Sequence, residues 1–373
     1  MKPVTLNVCE AVGRGHPDKI ADQISDAVLD ELLDQTAANG QPVARVRAAV
    51  ETLVCGRSVV LAGEVTAPEG CYLPGRMQAL VRDICRKSGV DDHVVADLDI
   101  RNLIRPQSPE IAAMTDEGAG DQGIMVGFAT RETPHGIPLA TMLARGLIAR
   151  ADHLAASGGL PWLRFDTKSQ VVIGPDGKAE SVVLALQHRA DISLPDLRSQ
   201  AMEAIVRPVM GDVDPKVVKI NAKGSFILGG AEADAGVTGR KIVCDSYAPG
   251  IPVGGGAFSG KDASKVDRTA AYMARFMALT VLAEYPRPVE SCQVSIAFGI
   301  GQLQPEMLRA MTGDAGGEAV TAWLRDRFPD LSPRAMQAEL GLWDRNGWCY
   351  VDTAALGHFG RGAFPWEAPA RQL

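Results

Sequence analysis

Residues 254–268, which read GGGAFSGKDASKVDR, constrain the fold of this chain more than any other segment. Three consecutive glycines let the backbone turn sharply and approach a bulky ligand, because glycine has no Cβ and adopts positive φ at little cost. The text from Ala263 onward is typical of a helix, whose first N–H groups and partial positive charge attract anions. The segment therefore predicts a glycine-rich loop before a helix, with Lys261 and Lys265 available to bind a polyphosphate.

One interpretation of this segment is the P-loop of an ATPase or kinase, because Gly255 to Lys261 fits the spacing G-x-x-x-x-G-K. Asp262, however, stands where a P-loop needs Ser or Thr to bind magnesium, and no convincing strand precedes Gly254. We therefore disfavour this alternative, which the formation of ADP from ATP would support.

The composition predicts a globular protein with more than one domain. A chain of 373 residues is too long for one ordinary core, and 46% hydrophobic with 22% charged residues gives no sign of extensive disorder. The formal net charge of −7 argues against a nucleic-acid-binding surface. We find no apolar run of signal-peptide or membrane length, and the seven cysteines include no C-x-x-C pair. We therefore expect free thiols, a cytoplasmic location and no membrane partner.

A pair of strands followed by a long helix occurs three times along the chain. This order predicts an α+β protein of three related units, each a mixed or antiparallel sheet covered by helices. We place their boundaries at residues 1–103, 104–232 and 233–373. After a predicted short strand near residue 100, the sequence becomes irregular and rich in proline and glycine. This segment predicts a mobile lid over residues 107–117.

The first helix is predicted from Pro17 to about Leu33, with His16 and Asp18 at its N-terminus, where a carboxylate complements the helix dipole. Its apolar residues line one face, so we expect its other aspartates to be mostly solvated. These are Asp22, Asp26, Asp30 and Asp34.

Elsewhere, the text predicts two strands over residues 43–66 with two buried-looking acids, Glu51 and Glu64. It also predicts a short strand at Phe226–Leu228 and helical structure from about Pro305 to Leu340.

Cations and acids recur beside glycine or proline in loop-like text. The cations are His16, Lys168, Arg240, Lys241, Lys261 and Lys265, and the acids are Asp18, Asp121, Asp234 and Asp267. This combination predicts a polyanion bound together with Mg²⁺, because carboxylates bind the ion while Lys and Arg neutralise the remaining phosphate charge. Such a site stabilises a highly charged leaving group with little acid–base help.

Six segments resemble the S-adenosylmethionine synthetase (methionine adenosyltransferase) family, in the family's order and over nearly the whole chain. They are GHPDKIADQISDAVLD at 15–30, GAGDQGIMVGFAT at 118–130, LPWLRFDTKSQV at 160–171, GVTGRKIVCDSY at 236–247, GGGAFSGKDASKVDRTAAYMAR at 254–275 and GHFGR at 357–361. The resemblance implies three pseudo-threefold-related domains and a homodimer with active sites at its interface, alone or paired into a homotetramer. It also implies that methionine sulfur attacks C5′ of ATP, giving S-adenosylmethionine and triphosphate, which is hydrolysed to pyrophosphate and phosphate.

The resemblance further implies two Mg²⁺ ions per site, K⁺, and the roles of individual residues. The catalytic side chains would be His16, Lys168, Arg240, Lys241, Lys261 and Lys265. ATP would contact His16, Asp166, Lys168, Ser225, Phe226 (near adenine), Asp234, Arg240, Lys241, Ala257 and Lys261. Methionine would contact Glu64, Gln107, Asp121, Asp234 and Lys265. Asp18 and Asp267 match the Mg²⁺ ligands, and Glu51 matches the K⁺ ligand.

Three features depart from the family's pattern. The segment between Gln107 and Gly118 is several residues short, Ser225 replaces an arginine, and Phe298 replaces an isoleucine beside the substrate pocket. Two alternatives therefore stay open: a pathway-dedicated synthetase that prefers a modified methionine analogue, and a non-catalytic regulatory subunit. Retention of nearly all catalytic-type residues argues against the second.

Overall fold

The computed structural model describes residues 7–68, 70–107, 118–313 and 316–373, so the predicted lid lies, apart from Gln107, outside the described residues. The strands are β1 (Val8–Val12), β2 (Arg47–Cys55), β3 (Ser58–Thr66), β4 (Asp99–Pro106), β5 (Gly123–Thr130), β6 (Leu163–Ile173), β7 (Ala179–His188), β8 (Val218–Ile220), β9 (Gly236–Val237), β10 (Ser291–Phe298) and β11 (Met307–Thr312). The helices are α1 (Pro17–Ala38), α2 (Pro74–Lys87), α3 (Asp92–Ala96), α4 (Leu139–Ser157), α5 (Leu194–Ala201), α6 (Arg207–Met210), α7 (Ile242–Asp245), α8 (Val266–Glu284), α9 (Gly317–Arg327), α10 (Pro333–Glu339) and α11 (Tyr350–Leu356).

These strands form three sheets that repeat one arrangement. Their orders are β9-β2-β3-β4, β1-β6-β7-β8 and β5-β10-β11. Each is built on an antiparallel pair of consecutive strands, β2–β3, β6–β7 or β10–β11. An antiparallel strand from elsewhere in the chain joins the first strand of each pair. In the first two sheets, a parallel strand, β4 or β8, joins the second. This repetition confirms the predicted α+β architecture of three related units.

The three units are interlaced through the strands that each sheet receives from another part of the chain. β1 opens the chain but pairs with β6, β5 pairs with β10, and β9 pairs with β2. The predicted boundaries at residues 103 and 232 stay a prediction. Whatever the boundaries, none of the three sheets is formed by one continuous third of the chain.

One long helix packs on each sheet: α1 on β2, α4 on β1 and β6, and α8 on β5 and β10. The helix-facing side chains alternate with outward-facing ones, as the period of a strand requires. On the outward face of the first sheet, Leu53 and Leu103 are 41% and 54% exposed. No helix within the described ranges is both long and apolar enough to cross a membrane.

The aspartates of α1 bind other parts of the chain, and the expectation that they are solvated is wrong for three of them. Asp22, Asp26 and Asp30 are buried, whereas the side chain of Asp34 is mostly exposed. Each of the three buried carboxylates accepts a hydrogen bond from a backbone N–H. Gly239 donates to Asp22 (2.8 Å), Gly260 to Asp26 (2.8 Å) and Tyr350 to Asp30 (3.0 Å). The C-terminal third packs over the helix face that we took to be wet, and α1 extends to Ala38 rather than Leu33.

Two further local predictions are wrong. Residues 226–228 form no strand: the end of β7 binds them through the Gln187 and His188 side chains and one backbone hydrogen bond, not through a continuous strand ladder. Residues 307–312 form β11, since they pair with β10, and helices begin only at Gly317. Short segments without a long period are decided by their tertiary neighbours rather than by local propensity.

Candidate active site

His16 lies between β1 and α1 and forms the N-cap of the helix. Its Nδ1 accepts the Asp18 N–H at 3.1 Å, so the neutral ring carries its proton on Nε2. Burial, followed by the positive charges of Lys241 and Lys168, lowers the pKa of His16 to about 3. The imidazole is therefore uncharged at neutral pH and is suited to donate a hydrogen bond, not to accept a proton.

Asp18 joins the first turn of α1 to the cations that follow β9. Its Oδ1 accepts the Val237 N–H at 3.0 Å, and its Oδ2 lies 2.5 Å from Lys241 Nζ. Arg240 Nε lies 3.6 Å from Oδ1. Burial alone would raise the pKa of Asp18, but the hydrogen bonds from Lys241 and Val237 outweigh it and lower the pKa. His16, Asp18, Arg240 and Lys241 thus form one cluster at the N-terminus of α1.

A buried ion network supports this cluster from below. Lys19 Nζ binds Asp22 Oδ2 at 3.1 Å and Asp245 Oδ2 at 2.6 Å, and all three side chains are buried. Asp22 also accepts the Gly239 N–H, and the Asp245 N–H binds the Lys241 carbonyl at 2.8 Å. Both ends of the segment that carries Arg240 and Lys241 are therefore held by α1, which fixes the direction of these cations.

Asp166 and Lys168 enter the same region from β6. The Gly230 N–H binds Asp166 Oδ2 at 2.8 Å, while the buried Oδ1 has no hydrogen-bond partner. Burial raises the pKa of Asp166, and the charge of Asp234 acts in the same direction. Lys168, opposite Val12 in the β1–β6 pair, is exposed. An unsatisfied buried oxygen is costly, and a ligand hydroxyl is one group that satisfies it.

Loop residues 222–235 border this region. Ser225 and Asp234 are exposed and Phe226 is half-buried. Asp234 Oδ1 accepts the N–H of the next residue, Ala235, at 2.8 Å. The structure therefore brings His16, Asp18, Asp166, Lys168, Asp234, Arg240 and Lys241 to one region.

The glycine-rich loop passes close to both α1 and α8. A Cβ at Gly256 would lie 2.3 Å from Asp267 Cγ, so a side chain here would have to displace the Asp267 carboxylate. At Gly260, φ is +81° and a Cβ would lie 1.9 Å from the Val50 carbonyl oxygen. A Cβ at Gly239 would meet Ala257 Cβ at 2.5 Å, so Ala257 is beside the Arg240–Lys241 segment. The glycines therefore let this loop pack closely against the protein itself, and its approach to a polyphosphate stays a prediction.

Lys261 and Lys265 each bind a carboxylate in the same segment. Lys261 Nζ lies 2.6 Å from Asp267 Oδ2, and Lys265 Nζ lies 2.5 Å from Asp262 Oδ2. Asp262 is fully buried and also accepts the Ala48 N–H at 2.6 Å. Burial would raise the pKa of Asp262, but Lys265 outweighs that effect and lowers the pKa.

This geometry contradicts the P-loop interpretation. Asp262 faces the interior and holds Ala48, so it is a structural acceptor. α8 begins only at Val266, and the residues directly before Gly254 are not a strand. A P-loop needs a strand, the loop and an immediate helix start.

The remaining predicted residues lie on or near open surfaces. Glu51 and Glu64 are exposed on the outward face of the first sheet. The prediction that they are buried is wrong, because buried and exposed residues alternate along β2 and β3 and both glutamates lie on the exposed side. Gln107 Oε1 accepts a hydrogen bond from the Thr66 hydroxyl at 3.1 Å. Asp121 is exposed and accepts a local bond from the Gln122 N–H.

Within one chain, the predicted residues form two groups. The first lies at the N-terminus of α1, and the second lies around Lys261 and Glu64. Asp18 and Asp26 are two turns apart on α1, roughly 12 Å, and Gly260, which precedes Lys261, binds at Asp26. In the β2–β3 register, Ala49 lies between Glu64 on one side and Lys261 on the other. The second group therefore faces the open surface of the first sheet.

The candidate Mg²⁺ ligands do not form an acidic cage. The described residues contain no group of three or more His, Cys, Asp or Glu side chains placed to hold a metal ion. Asp18 and Asp267 instead each lie against a lysine. This pattern fits Mg²⁺, which proteins commonly bind through one or two carboxylates together with substrate phosphates and water.

A second buried acid, Asp152 on α4, supports the loop before His16. Its Oδ2 lies 3.2 Å from Arg14 Nε, while its Oδ1 is buried without a partner. Burial raises the pKa of Asp152 to about 6, although Arg14 acts against this. The folded protein therefore binds a proton here at a pH where the unfolded chain, with a pKa near 4, has released it.

We expect Asp152→Asn to gain stability relative to the wild type as the pH rises. Between pH 4 and 7 the wild type must ionise a buried carboxyl group, so the difference in unfolding free energy should grow by about 2–3 kcal/mol in favour of the variant. Urea unfolding across this pH range measures it, with the exposed Asp212→Asn as the control. A difference in unfolding free energy that stays constant across this pH range would contradict the raised pKa of Asp152.

Sequence reasoning missed the residues that position the site. Lys19, Asp22, Asp26, Asp245 and Arg268 are buried and bind one another or the loops of the site. The available signal was the four-residue spacing of aspartates from Asp18 to Asp34, which places them along one stripe of a helix. Lys19 is the one lysine of α1 and the helix has no arginine, so most of these acids must find partners elsewhere in the chain.

Comparison with known families finds three matching family models along the chain. Residues 5–109 match the family model of the S-adenosylmethionine synthetase N-terminal domain, residues 116–226 that of the central domain and residues 228–368 that of the C-terminal domain. The three matches follow one another in order and cover nearly the whole chain. The chain belongs to the S-adenosylmethionine synthetase family.

Proposed function

We propose that this protein is a methionine adenosyltransferase that joins the methionine sulfur to C5′ of ATP and releases triphosphate. The observation that carries the proposal is the cluster at the N-terminus of α1, where a neutral, buried His16 lies beside Asp18, Arg240 and Lys241. Membership of the family agrees with it.

The proposed reaction requires little acid–base catalysis by the protein. A thioether sulfur is nucleophilic without losing a proton, so alignment and stabilisation of the leaving triphosphate supply the rate enhancement. In the proposal, His16 Nε2–H donates to an oxygen near C5′, and Arg240 and Lys241 neutralise the phosphates. Asp166, with its unsatisfied Oδ1, binds the nucleoside end together with Ser225 and Phe226.

The remaining predicted residues complete the site in this proposal. Lys261 and Ala257 contact the phosphates, and Lys168 and Asp234 contact ATP from the β6 side. Methionine's ammonium and carboxylate groups are assigned to Glu64, Gln107, Asp121, Asp234 and Lys265. Asp18 and Asp267 would hold two Mg²⁺ ions, which neutralise charge on the triphosphate, and Glu51 would hold K⁺. Hydrolysis of triphosphate to pyrophosphate and phosphate belongs to the same proposal.

A homodimer, alone or paired into a tetramer, is part of the proposal. The outward face of the first sheet carries exposed Leu53 and Leu103 beside Glu51 and Glu64. An open apolar sheet face is the kind of surface that a partner covers.

We expect Leu103→Glu to convert the dimer to a monomer, because a partner would have to bury an unpaired charge. Light scattering after size-exclusion chromatography should then report the 39.5 kDa mass of one chain. Leu73→Glu, equally exposed but outside this face, is the matched control and should keep the wild-type mass. An unchanged mass for Leu103→Glu would reject this face as the interface.

The test of the proposed function is mass spectrometry of purified protein with ATP, Mg²⁺, K⁺ and methionine, alongside a panel of S-alkyl homocysteines. S-adenosylmethionine with pyrophosphate and phosphate is the expected result. Preference for another thioether would establish the pathway-dedicated alternative, and ADP or no product would reject the proposal. Phe298 is buried on the helix-facing side of β10. Because it replaces the family's isoleucine, Phe298→Ile also tests whether its bulk affects the choice of thioether.

A further inference from the structure

Residues 221–230 lie beside the end of β7 without forming a strand. The side chain of Asn221 replaces the missing ladder at the start: the Leu186 N–H binds Asn221 Oδ1 at 2.7 Å, and Asn221 Nδ2 binds the Leu186 carbonyl at 2.9 Å. Asn221 has a φ of 44°, a conformation that asparagine tolerates better than most residues. The loop therefore leaves β8 in a direction fixed by a side chain.

Gln187, the next residue of β7, contacts both the loop and Asp166. Its Nε2 donates to the Ile227 carbonyl at 3.2 Å, and its Oε1 accepts the Asp166 N–H at 3.3 Å. A Cβ at Gly229 would lie 2.7 Å from Gln187 Cδ, so the loop backbone packs directly on this side chain. The loop and Asp166 are thus placed by the same residue.

His188, the last residue of β7, binds both backbone groups of Phe226. The His188 N–H donates to the Phe226 carbonyl at 2.9 Å, and the Phe226 N–H donates to His188 Nε2 at 3.0 Å. His188 Nδ1 lies 2.8 Å from the Arg189 carbonyl, which only accepts, so Nδ1 carries the proton. The ring is 2% exposed and is held as one neutral tautomer, with Nε2 as the acceptor.

We propose that His188 is a positioning residue that fixes Phe226 at the nucleoside end of the ATP site. The inference rests on the proposed function, in which Phe226 lies near adenine. A substitution at His188 should therefore weaken binding of the nucleoside part of ATP and leave binding of the phosphates intact. The phosphate-binding cations lie on a separate segment held by α1.

Two substitutions test the hydrogen bonds of the two ring nitrogens of His188 separately. His188→Gln places an amide oxygen at the reach of Nε2 and keeps an acceptor for the Phe226 N–H. His188→Asn keeps a donor at the position of Nδ1 and leaves that N–H without its acceptor. His153→Asn, at an exposed position of α4, is the matched control.

The experiment measures the Kd of ATP and of inorganic tripolyphosphate by titration calorimetry with Mg²⁺. We expect His188→Asn to weaken ATP binding about tenfold, the size of one lost buried hydrogen bond, with tripolyphosphate binding changed less than about twofold. His188→Gln and His153→Asn should stay within about threefold of the wild type for both ligands.

Three results would overturn the inference: equal weakening of both ligands by His188→Asn, wild-type ATP affinity in that variant, or no ATP binding by the wild type. The readout does not depend on turnover. If the wild type binds ATP but forms no adenosyl product, the proposed function fails while the Kd values of the variants still decide the role of His188.

Discussion

Lys241→Met is expected to lower the kcat of adenosyl transfer by about 10²- to 10³-fold, the loss usually seen when one preorganised stabilising group is removed. Lys241 Nζ lies 2.5 Å from Asp18 Oδ2, beside His16 and Arg240. Methionine has a similar length but no charge, so the triphosphate would leave without this cation. Because the charge develops mainly as the C5′–O bond breaks, kcat should fall more than the KM for methionine rises.

Steady-state kinetics with mass-spectrometric detection of the adenosyl product measures this effect. Lys178→Met, in the exposed turn between β6 and β7, is the matched control and should retain wild-type kinetics. Thermal unfolding of both variants excludes a general loss of structure. A Lys241→Met enzyme within about threefold of the wild type would remove Lys241 from the catalytic group.

Arg268→Leu is expected to lower the free energy of unfolding by about 3–5 kcal/mol, because it leaves a buried carboxylate without its partner. Arg268 and Asp26 are fully buried and share two hydrogen bonds, of 2.7 and 2.9 Å, between α8 and α1. Asp26 also accepts the Gly260 N–H, so the change should disturb the glycine-rich loop as well.

Urea unfolding followed by two spectroscopic probes measures this loss. The double variant Asp26→Leu with Arg268→Leu should be less destabilised than the sum of the single variants, since neither charge is then left alone. Arg207→Leu breaks an exposed ion pair with Glu203 and should change stability by less than about 0.5 kcal/mol. Strict additivity of the two buried substitutions would show that the pair does not act as a unit.

The architecture and the loop cations were predictable because they depend on local patterns. Alternation in the strands, helical periodicity in α1, α4 and α8, and glycines beside lysines are all properties of short segments. The burial of Asp22, Asp26 and Asp30 was not predictable in this way, because their partners at Gly239, Gly260 and Tyr350 lie more than 200 residues away.

The site residues show the same division. Asp18 and Lys241 could be singled out as a carboxylate and a cation, but their direct contact depends on packing of the segment after β9 against α1. His188 carries no local signal at all, since a histidine at the end of a strand is ordinary. Its meaning appears only when the loop that contains Phe226 is placed beside it.

The interlaced strands have a consequence for synthesis on the ribosome. β1 leaves the exit tunnel first, but its partner β6 is about 150 residues behind it, and the first sheet lacks β9 until residue 237 has emerged. No sheet edge that awaits such a strand can close while the nascent chain is short. Closure of these edges therefore waits for the later strand of each distant pair, the last of which, β10, lies in the final third of the chain. Until then the growing chain depends on protection of its unpaired strand edges.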